Sequence, residues 1–169
     1  MNTLNKLFID ISSINIFTLL INIILIVIQS SRINDYIHEI GHCVTIYITK
    51  YIIRFNEKIK VTIKYKGDNK KTKILKTYSN FYSFLDKSDK HKYRNIIRIN
   101  TLGGLIAETT FTICLFFIVN KYIKIFVIVI YITNTIYPFI KRKNITTSDL
   151  YTLKYPEHFK YTTLEEDMK

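Results

Sequence analysis

Apolar residues along this chain fall into long blocks separated by short polar breaks. The first block runs from about Leu7 to Ile28; it holds Asp10 near its start and is almost uninterrupted from Ile16 onward. A polar turn, Ser30 to Asp35, leads into a second block from about Asn34 to Phe55. A third, from about Ile96 to Val119, contains Gly103-Gly104 and one embedded acid, Glu108. After the break Asn120 to Lys124, a fourth covers Ile125 to Ile140, is expected to end near Pro138, and is followed by Lys141-Arg142-Lys143. About twenty apolar residues cross a bilayer as a helix. The pattern therefore predicts an all-α membrane bundle in one domain, residues 1–169, with about four transmembrane helices at 7–28, 34–55, 96–119 and 125–140.

Between the second and third blocks the period changes. Lys58 to Lys66 reads Lys-Ile-Lys-Val-Thr-Ile-Lys-Tyr-Lys, the alternation of a strand with one apolar face. Gly67-Asp68-Asn69 is a turn signal, and Lys73 to Tyr78 supplies a returning strand. A small cytoplasmic β-hairpin is expected within a basic loop at 56–95. The tail, 141–169, is polar and mixed in charge.

Charge sharpens this picture. The net charge is +12, and Arg54 to Arg98 alone holds fourteen Lys or Arg against four acids. A basic run flanked by long apolar segments implies a juxtamembrane loop on anionic lipid, and argues against nucleic acid as a partner. Four crossings place the N-terminus, the basic loop and the C-terminus on one side of a multi-pass protein of the cell membrane. Arg32, Lys121 and Lys124 are left on the other side, so the basic side is the cytoplasm. Cys43 and Cys114 lie inside apolar blocks without CxxC spacing, which indicates neither a disulfide framework nor thiolate ligands. Gln29-Ser30-Ser31-Arg32 lacks small residues at both cleavage-determining positions, so the first block is expected to stay in the mature chain. Nothing in the composition specifies an oligomeric state.

The second block carries chemistry. His38-Glu39-Ile40-Gly41-His42 spells HExxH. On a helix, positions four apart share a face, so both imidazoles reach one metal ion. Glu39 sits one residue on, angled away from ligation but near a water held by the metal. Zinc lowers the pKa of such a water to about 7, and a neighbouring carboxylate takes its proton. The bland alternative is a solvated helix start with incidental histidines. Depth argues against it: His42 lies about 15 Å from the helix end near Ile52 at 1.5 Å per residue, and ionisable groups at bilayer depth are costly and usually functional. Catalytic zinc needs a third protein ligand. Asp149, Glu108, Asp35, His91 and His158 supply the side chains. Asp35 is too close along the same helix. His91 and His158 read as surface histidines. Glu108 is embedded, and its alternative role is an acid hydrogen-bonded to Thr109, Thr112 or another helix.

His38-Glu39-Ile40-Gly41-His42 in a membrane helix resembles the site-2 protease family of intramembrane zinc metallopeptidases. Thr101-Leu102-Gly103-Gly104-Leu105 is similar to the small-residue step that follows the hairpin in that family. Asn134 to Pro138 with Ser148-Asp149 resembles its Asn-x-x-Pro and Asp-Gly element. Here the Asn-to-Pro spacing is one residue longer, and Leu150 stands where the family has glycine. The resemblance covers roughly Tyr36 to Tyr151. It implies His38, His42 and Asp149 as zinc ligands and Glu39 as catalytic base. Its substrate is a membrane-anchored protein or short hydrophobic peptide, offered as an extended strand to the hairpin edge. It also implies that a proline ending the fourth helix lets the following stretch fold back to the metal. Two other functions compete. One is a non-catalytic membrane protein, an immunity or transport accessory factor that retains a zinc site. The other is a lipid-binding anchor using the basic loop, for which the histidines are dispensable.

Overall fold

The computed structural model describes residues 16–66, 74–85, 88–121, 123–141 and 149–159. Two helices open it, α1 (Ile16–Ser30) and α2 (Arg32–Ile52). The Ser31 hydroxyl accepts from Ile33 N at 3.2 Å and caps α2. The break between them is one residue long and the bend is 60°. This corrects the expected reversal at Ser30 to Asp35, since turning two helices antiparallel takes a loop of a few residues. Instead α1 and α2 follow one bent path.

That path runs antiparallel to α3 (Lys90–Ile118), and its polar side chains mark the course. Asn22 Oδ1 accepts from Asn120 N at 3.0 Å just beyond the end of α3. Gln29 Nε2 reaches Thr112 Oγ1 at 3.4 Å. Asn34 Nδ2 donates to Glu108 Oε1 at 3.0 Å, and Thr49 Oγ1 to Asn100 Oδ1 at 2.8 Å. Partners on α1 and α2 rise in number while those on α3 fall. The stretch from Asn100 to Asn120 rises roughly 30 Å at 1.5 Å per residue, about the hydrocarbon thickness of a bilayer.

α2 ends in a Schellman turn. Phe55 N bonds Lys50 O at 3.0 Å and Arg54 N bonds Tyr51 O at 3.1 Å, with Arg54 left-handed at φ 52°. The chain then enters the hairpin, β1 (Val61–Lys66) antiparallel to β2 (Ile74–Ser79), in the register Val61 to Ser79 and Lys66 to Ile74. The predicted turn Gly67-Asp68-Asn69 lies outside the described residues. A 3-10 turn, Asn80–Ser83, drops Phe81 and Tyr82 into a core with Ile46, Leu85, Ile96 and Ile97. α3 begins at Lys90, earlier than its apolar stretch, because Asp89 caps it by accepting from Lys92 N at 3.0 Å.

The next long helix starts as α4 (Lys124–Tyr131), widens into a π-helical turn (Ile132–Ile136) and resumes as α5 (Tyr137–Lys141). Pro138 thus lies inside the helix and does not end it, a second correction. Proline removes one helical hydrogen bond and crowds the carbonyl four residues back. The π-turn just upstream is the local widening that absorbs both effects. The tail is also more ordered than a polar composition suggests: α6 (Asp149–Lys154) and a 3-10 turn at Pro156–His158 pack onto the bundle.

Among the described residues, two helices, Lys90–Ile118 and Lys124–Lys141, are long and apolar enough to cross a membrane. The bent pair α1–α2 passes the same test when taken together, giving up to three spans where four were expected. The described start of the first segment, Ile16, lies at the opposite end of the bundle from the hairpin. Polar side chains such as Asn22, Gln29, Asn100 and Glu108 are buried, while Ile16, Phe117, Ile118 and Ile125 are exposed. This inverts the distribution of a water-soluble fold.

Candidate metal centre

α2 and α3 touch where glycine permits it. A Cβ on Gly41 would collide with the Gly103 carbonyl and the Ala107 methyl, and one on Gly103 with Thr45 and the Gly41 carbonyl. A Cβ on Gly104 would lie 2.5 Å from the His38 ring. The first two glycines bring the backbones together, as small residues do between membrane helices. The third leaves room for an imidazole.

His38 and His42, one turn apart on α2, converge through Nε2. These atoms lie 3.1 Å apart, with the rings inclined at 81°. Asp149 Oδ2 completes the group at 2.8 Å from His38 Nε2 and 3.6 Å from His42 Nε2. The opposite nitrogens are engaged elsewhere. His42 Nδ1 donates to the Asn100 carbonyl at 2.7 Å. His38 Nδ1 lies 3.4 Å from Glu108 Oε1, the oxygen that accepts from Asn34. A neutral imidazole donating through Nδ1 presents a lone pair at Nε2. Two such lone pairs and a carboxylate oxygen therefore face one point.

That donor set fits zinc. Tetrahedral zinc with nitrogen and oxygen donors at 2.0–2.2 Å spaces those donors about 3.3–3.6 Å apart; the separations here are 2.8, 3.1 and 3.6 Å, the last at the upper end of that range and the first two shorter. The Glu39 carboxylate offers an oxygen within 4.8 Å of the ligating atoms of both histidines. Its residue is buried, and its carbonyl accepts from Thr77 Oγ1 at 3.0 Å, which ties β2 to the motif.

Asp149 arrives from the other end of the chain, 111 residues from His38. Several contacts set α6 in place. Arg98 Nε donates to the Leu153 carbonyl at 3.2 Å, Arg94 pairs with Glu157 at 3.4 Å, and the Phe159 ring packs on Tyr82 with centroids 4.9 Å apart. Burial works against its charge, but while Nε2 of His38 and then of His42 carries a proton and donates to it, the Asp149 carboxyl is held well below the usual carboxylate range; a bound cation would take the place of those protons. It remains an anion and an acceptor.

Of the other candidate acids and histidines, Asp35, Glu108 and His158 line the same cavity but stand outside the convergent group. Glu108 addresses the outer nitrogen of His38 and not the convergent one. Asp35 is exposed and lines the cavity over the site. His91 sits on the exposed first turn of α3 beside Asn95, and His158 accepts from the Tyr151 hydroxyl at 2.9 Å. Cys43 Sγ lies 3.8 Å from Thr77 Oγ1.

The cavity measures about 780 Å³, within the range of ligand pockets. His38, Glu39, His42 and Asp149 line it with Asn134 and Pro138, while Ser148 lies outside the described residues. Tyr82 and Asn100 also line it and were not singled out by sequence. Burial pushes the Tyr82 phenol up, so it stays a neutral hydroxyl. A signal for Asn100 existed: Asn100, Gly104 and Glu108 recur every four residues in an apolar helix and so share a face. No family model, curated protein or solved structure matches the chain.

Proposed function

We propose that the protein is an integral membrane zinc metalloprotease of the site-2 protease type. It hydrolyses peptide bonds of a membrane-anchored protein or a short hydrophobic peptide. The observation that carries this reading is the convergence of His38 Nε2, His42 Nε2 and Asp149 Oδ2, with Glu39 beside them, on helices whose outer surface is apolar.

In the bilayer, α1–α2 forms one broken crossing, α3 the second and the α4–α5 helix the third. The basic loop and the C-terminal tail then share the cytoplasmic side. Three crossings put Ile16 on the opposite side. The metal centre lies between Asn100 and Glu108, so it is embedded from the cytoplasmic side.

His38, His42 and Asp149 would hold the metal, with both rings placed at the α2–α3 contact. A bound zinc ion supplies Lewis-acid activation of water near neutral pH. Glu39 accepts the proton of the attacking water as its oxygen bonds to the scissile carbonyl carbon. The same carboxylic acid returns the proton to the departing amine nitrogen when the C–N bond breaks. Glu39 is buried, and Asn134 lines the same cavity.

The test is proteolysis by the detergent-purified full chain on a panel of membrane-anchored peptides. Glu39→Gln should lower turnover by at least about 10²-fold, the low end for removing a general base, and keep zinc at wild-type stoichiometry. Turnover within tenfold of wild type would remove Glu39 from the chemistry. Stoichiometric zinc with no cleavage of any peptide would favour the non-catalytic zinc protein.

A further inference from the structure

Among the buried acids of the described residues, Glu108 is the one the hydrolytic steps leave unused. It sits on α3 at bilayer depth, roughly 15 Å from Arg98 at 1.5 Å per residue. An intramembrane carboxylate is costly to bury and persists where it has partners and a task. Its partners are both on α2. Oε1 accepts from Asn34 Nδ2 at 3.0 Å and lies 3.4 Å from His38 Nδ1. His38 Nε2 points the other way, to Asp149 at 2.8 Å. Gly104, one turn before Glu108 on α3, leaves the space that the His38 ring fills.

We propose that Glu108, oriented by Asn34, is a positioning residue for the metal: it accepts the Nδ1 proton of His38, so that Nε2 presents its lone pair to the ion. A ligating histidine commonly donates its second nitrogen to a carboxylate, which fixes tautomer and ring orientation and raises ligand basicity. His42 obtains the same service from the Asn100 carbonyl at 2.7 Å. The two imidazoles are thus anchored from opposite directions on α3, one by a side chain and one by the backbone. Only the first anchor can be removed by substitution.

This inference rests on the metal site proposed above, and the experiment separates the two. Zinc affinity and the visible absorption of the cobalt-loaded protein are measured on the full chain for wild type, Glu108→Ala, Glu108→Gln, Asn34→Ala and His42→Ala. Glu108→Ala should bind zinc about 10–100-fold more weakly and shift the cobalt bands, because the ring is free to turn. Glu108→Gln keeps an acceptor oxygen and should recover most of the affinity and the wild-type spectrum. Asn34→Ala should move both readouts in the direction of Glu108→Ala by a smaller amount. If Glu108→Ala does not fold, the Asn34→Ala result decides alone. Glu108→Ala within threefold of wild type, with unchanged bands, would overturn the positioning role. So would loss of metal in Glu108→Gln equal to that in His42→Ala, which would make Glu108 a ligand. A wild-type chain that takes up neither ion overturns the metal site and this role together.

Discussion

His38 and His42 face each other nitrogen to nitrogen at 3.1 Å; the second nitrogen of His42 bonds the Asn100 carbonyl, and that of His38 lies 3.4 Å from Glu108 Oε1. Two lone pairs do not settle at that distance without a cation between them or a proton on one. On the proposed metal-centre reading it is a cation, and the purified protein should contain close to one zinc per chain by elemental analysis; a zinc-free chain would leave the proton. His38→Ala, His42→Ala and Asp149→Ala should each weaken zinc by more than the roughly 10–100-fold typical of outer hydrogen-bond partners. Asp149→Ala with wild-type zinc content would remove the third ligand from the scheme.

The glycines make a steric prediction with two distinct outcomes. Gly41→Ala sets a methyl against the Gly103 backbone, which cannot yield, so α2 and α3 must separate. Thermal stability should fall by about 1–3 kcal/mol, as for overpacking. Gly104→Ala meets only the His38 ring. It should leave the melting temperature nearly unchanged and lower zinc affinity. The same loss of stability in both variants would mean that Gly104 serves helix packing instead.

The single bent path of α1–α2 is testable by cross-linking. With Cys43 and Cys114 replaced by serine, Asn22→Cys should form an oxidative cross-link with Asn120→Cys, since these positions hydrogen-bond at 3.0 Å. It should not link to Asn100→Cys. Reporters fused after Ser83 and after Lys121 should report the cytoplasm and the outside, respectively. Cross-linking to position 100 would restore the helical hairpin at Ser31.

Arg98 holds α6 through the Leu153 carbonyl. Arg98→Ala should leave α2 and α3 intact by circular dichroism while lowering zinc affinity severalfold, because Asp149 is no longer held in place before the metal arrives. An unchanged affinity would show that Phe159 and Pro156 secure the segment without it.

Much of this arrangement was legible from the chain because its signals were local. HExxH places two imidazoles on one helical face whatever surrounds it. The alternation of Lys58 to Lys66 marks a strand because an extended backbone sends successive side chains to opposite faces, and a helix does not. Asp149 was singled out only through family resemblance, since no local pattern links it to residues 111 positions earlier. What escaped was set by single atoms or by distant partners. The Ser31 cap decides that α1 and α2 continue instead of reversing, and hydropathy sees only a polar gap there. Asp89 starts α3 before its apolar stretch. The π-turn absorbs Pro138 so that the helix runs on. The tail folds because Arg94, Arg98 and Tyr82 offer it docking points, and those contacts leave no period in residues 149–159.

The separation of the donors along the chain also has a consequence in time. Synthesis proceeds at roughly 5–20 residues per second, so His38 and His42 exist for several seconds or more before Asp149 leaves the ribosome. During that interval α2 and α3 can insert and pair, but the nascent protein holds an incomplete set of ligands. The candidate metal centre is thus completed only after α2 and α3 have been made. A chain released early, before Asp149, would pair α2 with α3 and hold His38, Glu39 and His42 without the third donor.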